Sequence, residues 1–162
     1  ANAATDIFAR SEAQILHLCG TRDYDDLADI AQTQGFAVER YRLLPFLREM
    51  QWALALADVA VTRAGANGLA ELAAAGVPSL MVPYPHAGGH QRHNAEPLSQ
   101  AGGGVIVNDE DLDGDRLAGE VLALLGDEAR RRAMSEAARR WARPDAARRL
   151  AELVLQVAED SP

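Results

Sequence analysis

Apolar and polar residues follow two periods along this chain. Short apolar runs of about four to six residues have the look of strands. Longer segments place apolar residues three and four apart, as helices do. Residues 2–10 have helical spacing, and residues 14–18 (QILHL) read as a strand that ends at Cys19-Gly20. A helix is expected over 24–34, stopped by Gly35, and a strand over 36–41. Residues 43–47 are apolar around Pro45, and 48–57 read as a helix. The strand 58–62 (DVAVT), a turn over 63–68, a helix over 69–75 and a strand over 79–82 follow, with Gly76 and Pro78 ending the helix. A polar loop leads through Gln91 into a helix over 91–101, closed by Gly102-Gly103, and then a strand over 105–107. After the acidic stretch 109–115, helices are expected over 116–125, 128–141 and 145–157, with Asp127 and Asp145 as N-caps.

Five strands alternating with helices predict an α/β fold, a Rossmann-like parallel sheet with helices on both faces. The length of 162 residues suits one domain with a core of its own, read here as spanning 1–162. Apolar residues make up 48%, but no run approaches the ~20 that a membrane-spanning helix needs. The formal net charge of −8 argues against nucleic acid held on a broad basic surface. Arginines at 130–132, 139–143 and 148–149 alternate with acids and alanines, which reads as solvated helix faces.

The chemistry concentrates in residues 62–71, TRAGANGLAE. A strand that feeds a helix through small residues leaves main-chain N–H groups at the helix start, where the dipole favours an anion. Gly65 and Gly68 let the backbone approach a ligand closely. Glu71 could accept two hydrogen bonds from a vicinal diol, as acidic residues do for ribose in dinucleotide folds. The plainer reading is an ordinary strand–turn–helix with Glu71 as a charge favoured by the dipole. In parallel sheets ligands bind at the carboxyl ends of the strands, so the segments 44–50, 63–68 and 86–91 are candidates for one site. The single Cys19 reads as a buried structural thiol, and His17 as a satisfied core histidine. Trp52 and Trp141 read as core. His86, His90 and His93 have no Cys near them and few acids, so a metal site is not expected.

Three pieces in order carry a resemblance. They are 47–50 ahead of a helix, Arg63-Ala64-Gly65-Ala66 with Glu71 eight residues beyond Arg63, and Ala73-Ala74-Ala75-Gly76-Val77-Pro78 running into His90-Gln91-Arg92-His93-Asn94-Ala95. Together they resemble the C-terminal, nucleotide-sugar-binding domain of MurG-type N-acetylglucosaminyltransferases, glycosyltransferase family 28. Nearly the whole chain takes part. The resemblance implies the C-terminal half of a GT-B glycosyltransferase. It implies donation of N-acetylglucosamine from UDP-N-acetylglucosamine, with inversion, to a lipid-linked muramyl-pentapeptide in peptidoglycan synthesis, without a cofactor or metal. By the same resemblance Glu71 would bind the ribose hydroxyls, the Leu47 backbone would pair with the uracil edge, and Met50 would pack beside the nucleotide. Arg63 would sit at the nucleotide pocket, with Gly65 and the amides of Ala66 and Asn67 facing the sugar and diphosphate. His90 and Gln91 would touch sugar hydroxyls, and Asn94 would support the loop. The general base is not identifiable, since the family's candidate lies in the other domain. A cytoplasmic place is implied, peripheral at the inner face of the cell membrane through that domain.

Two departures stand out. His90 occupies a position where the family usually has glutamine, and its protonation would make binding pH-dependent. In the family a strand and a glycine- and serine-rich phosphate loop precede the helix at 2–10. The chain is therefore expected to be a fragment whose sheet is completed by an upstream segment or a second chain, between the strands at 14–18 and 58–62. The lipid-linked acceptor would then be met through a missing N-terminal domain. Two rival readings remain open. A natural-product GT-B glycosyltransferase would usually show histidine in place of Arg63 and an Asp-Gln pair in the later loop. A non-catalytic, partner-dependent nucleotide-sugar-binding subunit would work only with another chain.

Overall fold

The computed structural model describes residues 2–86 and 89–159. Eight helices and five strands follow one another as α1 Asn2–Arg10, β1 Ile15–Leu18, α2 Tyr24–Thr33, β2 Tyr41–Leu44, α3 Met50–Leu56, β3 Ala60–Thr62, α4 Ala66–Ala75, β4 Ser79–Met81, α5 His90–Gln100, β5 Gly104–Ile106, α6 Gly114–Gly126, α7 Glu128–Trp141 and α8 Ala146–Glu159. A 3₁₀ turn, Asp109–Asp111, lies between β5 and α6. All strand pairing is parallel, as the alternation of strands and helices requires.

The strands form two sheets rather than one. β1 pairs with β2 in the register Ile15 to Tyr41. β4 lies between β3 and β5, with Leu80 opposite both Val61 and Val105. Among the described residues, β1 and β3 each have one unpaired edge. The break falls between the two strands named above as the place for a further one. Each sheet has its own apolar cluster. Leu69, Ala73, Met81, Ala95, Leu98 and Ala138 gather around the three-stranded sheet. Ala3, Ile7 and Ala118 gather under the two-stranded sheet, joined by Phe8 and Ile15. α6 packs against both α1 and α7 and so ties the two halves together.

Local chemistry explains the element ends. Asp113 and Asp127 cap α6 and α7, accepting from the N–H of Arg116 (2.7 Å) and Arg130 (2.9 Å). Asp145 instead places its carboxylate 3.7 Å from Arg148, while its main-chain oxygen accepts from Arg149. α4 ends at Gly76 in the left-handed region (φ 73°), a conformation that glycine takes without strain. There Val77 N–H reaches back to Leu72 C=O (2.9 Å), and Arg139 Nη2 donates to Ala75 C=O (3.1 Å).

Several expectations need correcting. The strand expected over 36–41 lies at Tyr41–Leu44. Residues 37–41 turn instead, because Arg40 N–H and Tyr41 N–H both donate to Ala37 C=O. The Arg40 guanidinium pins that turn to α1 and the segment after it, donating to Ser11 C=O (2.6 Å) and Phe8 C=O (3.3 Å). α4 begins at Ala66, three residues earlier than expected, so part of the supposed turn is its first turn. Trp52 is 63% exposed and does not join a core, whereas Trp141 packs against the larger cluster. Cys19 is half-buried, its thiol directed at Gly20 C=O (3.3 Å). No helix among the described residues is long and apolar enough to cross a membrane.

Candidate functional site

The carboxyl ends of β3, β4 and β5 bring three connections together. Arg63 follows β3 directly and Ala64 beyond it is fully buried. Gly65 is the N-cap of α4 in extended conformation, and no side chain caps the helix. The first intrahelical bond is Leu69 N–H to Gly65 C=O (3.0 Å), so the N–H groups of Ala66, Asn67 and Gly68 lie before the ladder begins. Those groups carry the positive end of the helix dipole. Among the described residues, and apart from chain neighbours and the helix's own backbone, the positions that a Cβ would take at Gly65 and Gly68 meet no atom within 4 Å. Nothing in the fold needs glycine there for space, yet both leave the approach to the helix start clear.

α5 holds this arrangement from the side. Gln91 Oε1 accepts from Ala64 N–H (3.1 Å) and from Tyr84 N–H (2.9 Å), joining the connections after β3 and β4. Asn94 Nδ2 donates to Ala64 C=O (3.1 Å). One buried residue is therefore gripped by its main-chain N–H and C=O from residues one helical turn apart. Because its oxygen is taken twice, Gln91 has only its amide N–H groups to offer a ligand. Asn94 thereby ties α5 to the connection after β3.

Other expected residues are placed without being brought into contact. Glu71 is the sixth residue of α4 and exposed, and its carboxylate makes no hydrogen bond or ion pair among the described residues. Asn67 and His90 are also exposed, and His90 opens α5 behind Gly89. Leu47 and Met50 are half-buried, and Met50 begins α3, which rests against α4. The Leu47 main chain makes no hydrogen bond among the described residues, leaving its donor and acceptor open. Residues 87 and 88 of the expected loop 86–91 lie outside the described residues. Among the described residues, no three His, Cys, Asp or Glu side chains gather as metal ligands would.

Sequence reasoning missed the groups that fix Arg63. Its Nη1 donates to Val82 C=O (3.4 Å) and to the Asp109 carboxylate, and its guanidinium carbon stands 5.5 Å from the Tyr84 ring centre. Asp109 was visible only as part of an acidic stretch. Its distance of 46 residues from Arg63 hides the pair from any local pattern.

Chemically, the site offers uncapped helix N–H groups, one arginine and one free carboxylate at a strand–helix junction. Anionic and diol-bearing ligands suit such a set. The glycosyltransferase family 28 C-terminal domain model matches residues 2–150. A UDP-N-acetylglucosamine–N-acetylmuramyl-(pentapeptide) pyrophosphoryl-undecaprenol N-acetylglucosamine transferase of Halothermothrix orenii is 37% identical over 155 residues, 93% of this chain and 42% of that protein. The transferase of the same name from Mycolicibacterium smegmatis is 41% identical over 157 residues, 97% of this chain and 40% of that protein. The chain thus spans about two fifths of the length of these relatives. The crystal structure of Acinetobacter baumannii MurG superposes with a TM-score of 0.78 at 26% identity, covering 96% of this chain and 44% of that one. The glycosyltransferase VinC, crystallised with dTDP, shares the fold at a TM-score of 0.74 and 21% identity, over 99% of this chain and 38% of that one. With its strand–helix junction intact and the family model matched almost from end to end, the chain belongs to the glycosyltransferase family 28 C-terminal domain family.

Proposed function

We propose that this chain binds UDP-N-acetylglucosamine and serves as the donor half of a transferase that moves N-acetylglucosamine to a lipid-linked acceptor in peptidoglycan synthesis. The observation that carries the reading is the uncapped start of α4, with open space before Gly65 and Gly68. In the transfer, an acceptor hydroxyl oxygen attacks the anomeric carbon. The bond from that carbon to the diphosphate oxygen breaks, the hydroxyl proton passes to a base, and UDP leaves. Negative charge grows on the diphosphate as the bond breaks. Preorganised N–H groups at Ala66 and Asn67 stabilise that charge with little reorganisation. Glu71 takes the ribose diol, the open Leu47 backbone takes the uracil edge beside Met50, and the Gln91 amide donates to a sugar oxygen next to His90. No residue of this chain is assigned as the base.

The free edges of β1 and β3 support a chain that works joined to further polypeptide, either an upstream segment or a second chain. In that setting the acceptor is met outside the described residues, and we place the assembled protein at the inner face of the cell membrane.

Calorimetric titration with UDP-N-acetylglucosamine, UDP-glucose and UDP, without divalent metal, tests the reading. Binding of all three, tightest for the first, is the expected result. Glu71→Ala should then weaken UDP by about 1.5–3 kcal/mol, the range for hydrogen bonds to a charged group. A folded chain that binds none of the three, or a Glu71→Ala variant with unchanged UDP affinity, would count against it.

A further inference from the structure

Arg63 is held by one corner. Nη1 makes both of its hydrogen bonds, to Val82 C=O and to the Asp109 carboxylate, and the Tyr84 ring lies beside the guanidinium. Among the described residues, Nε and Nη2 make none. Those two nitrogens form an edge of the guanidinium that can donate in parallel to two oxygens of one anion. The arginine is half-exposed, so this edge is open to a ligand.

The segment that carries Asp109 is tied down through its neighbour Asn108. Arg92 Nη1 donates to Asn108 Oδ1 (2.7 Å), and Asn108 Nδ2 donates to Asp111 Oδ2 (3.0 Å). Arg92 follows Gln91, which holds Ala64, and Ala64 follows Arg63. The contacts close a ring through three pairs of consecutive residues, at 63–64, 91–92 and 108–109. Such a ring sets the aim of the arginine before any ligand arrives. An unheld arginine side chain would lose its rotamer freedom on binding, which opposes association. The Asp109 charge also lies against the Nη1 corner, leaving the cation between it and an anion at the other edge.

We propose that Asp109 is a positioning residue that presents the Nε–Nη2 edge of Arg63 to a phosphoryl group of a diphosphate. The inference deepens the functional reading above and rests on it for the identity of the ligand. The shared chemistry is a diphosphate, whether of a nucleotide or of a lipid-linked substrate.

The test is calorimetric titration of the chain and its variants with UDP, uridine and inorganic pyrophosphate. Asp109→Ala should weaken UDP and pyrophosphate about tenfold, the scale of ordering one long side chain, and leave uridine unchanged. Asp109→Asn keeps an acceptor oxygen and should recover most of the loss. Arg63→Ala should lose at least as much, and adding Asp109→Ala to it should cost nothing further. Melting curves by circular dichroism confirm that each variant is folded. Unchanged or tighter UDP binding in Asp109→Ala overturns the proposal, the latter because the carboxylate would then be a competing anion. An equal loss for uridine also overturns it, since the whole loop would have moved. Pyrophosphate binding that depends on Arg63 and Asp109, with no gain from uridine, would sustain this inference and sink the nucleotide reading. Failure of the unaltered chain to bind any of the three would sink both.

Discussion

Gly68 sits third in α4, and a Cβ on a helix leans toward the helix N-terminus. Here it would lean over the uncapped N–H groups, into space that is open among the described residues. Gly68→Ala should therefore raise stability by up to about 1 kcal/mol through helix propensity. The same change should weaken UDP, because the methyl stands where the diphosphate would approach. A rise in melting temperature with unchanged affinity would remove the helix start from the site. His17 and Tyr41 give a second test at this scale. They share a hydrogen bond of 2.7 Å across β1 and β2. Burial lowers the imidazole below its ordinary 6.5 and raises the phenol above its ordinary 10.0. As pH falls from 6.5 through the lower folded value, the unfolded chain binds a proton that folded His17 resists, and stability drops. As pH rises from 10.0 through the higher folded value, unfolded tyrosine ionises first, and stability drops again. Urea titrations across pH should show a plateau between these limbs, and His17→Gln should flatten the acid one. An acid limb that survives the substitution intact belongs to other groups.

At the scale of elements, α5 organises the site more than α4 does. Gln91 supplies one oxygen to two main-chain N–H groups, and one of them belongs to a fully buried residue, Ala64. Gln91→Met would leave both donors without that acceptor, at a cost of about 1–3 kcal/mol for the buried one. The urea midpoint should fall and the Ala64 amide should exchange faster. Gln91→Glu keeps the oxygen and should preserve both. Equal midpoints in all three proteins would mean that water replaces the clamp. The elements themselves were largely legible. The spans of α1 and α7 match their periodicity residue for residue, and Asp127 is the cap expected of it. β2 was misplaced because Phe36, Ala37 and Val38 make a short apolar run after Gly35, as a strand start would. Phe36 instead stacks edge-on against Phe8 (5.4 Å between ring centres) and leans on Tyr41 (5.1 Å) within a turn. The local part of the candidate site, 63–71, could be singled out because its residues are neighbours in sequence. Asp109 could not, because its meeting with Arg63 depends on β4 lying between β3 and β5. Trp52 was misread for a related reason. Its helical spacing marks an apolar face, but nothing in the spacing says what covers that face.

Among the described residues, the molecule is two packed halves without hydrogen bonds between their sheets. Leu16 and Leu18 on β1 and Val61 on β3 remain 44%, 36% and 47% exposed on strands that, among the described residues, each have one edge unpaired. A two-stranded pair is marginal by itself and depends on the helices that cover it. β4, paired on both sides and wholly buried, should form the most stable part of the fold. Native-state hydrogen exchange should therefore find the β4 amides exchanging only through global opening. The β1 and β2 amides should exchange through a smaller, cheaper opening of the first half. If a further strand pairs with β1 and β3, as proposed, a longer protein with the remainder of a relative's length should abolish that difference. The amides of β1 and β3 would then share the protection of β4, because one continuous sheet opens as a unit. Equal protection of β1 and β4 in the present chain would show that the halves already unfold together and that the free edges are no weak point. A persistent difference in the longer protein would mean that no strand enters between them. The order of opening bears on function, since Arg63, Gly65 and the start of α4 follow the free-edged β3 directly. Pairing that edge would stiffen the connection that aims the site's positive groups.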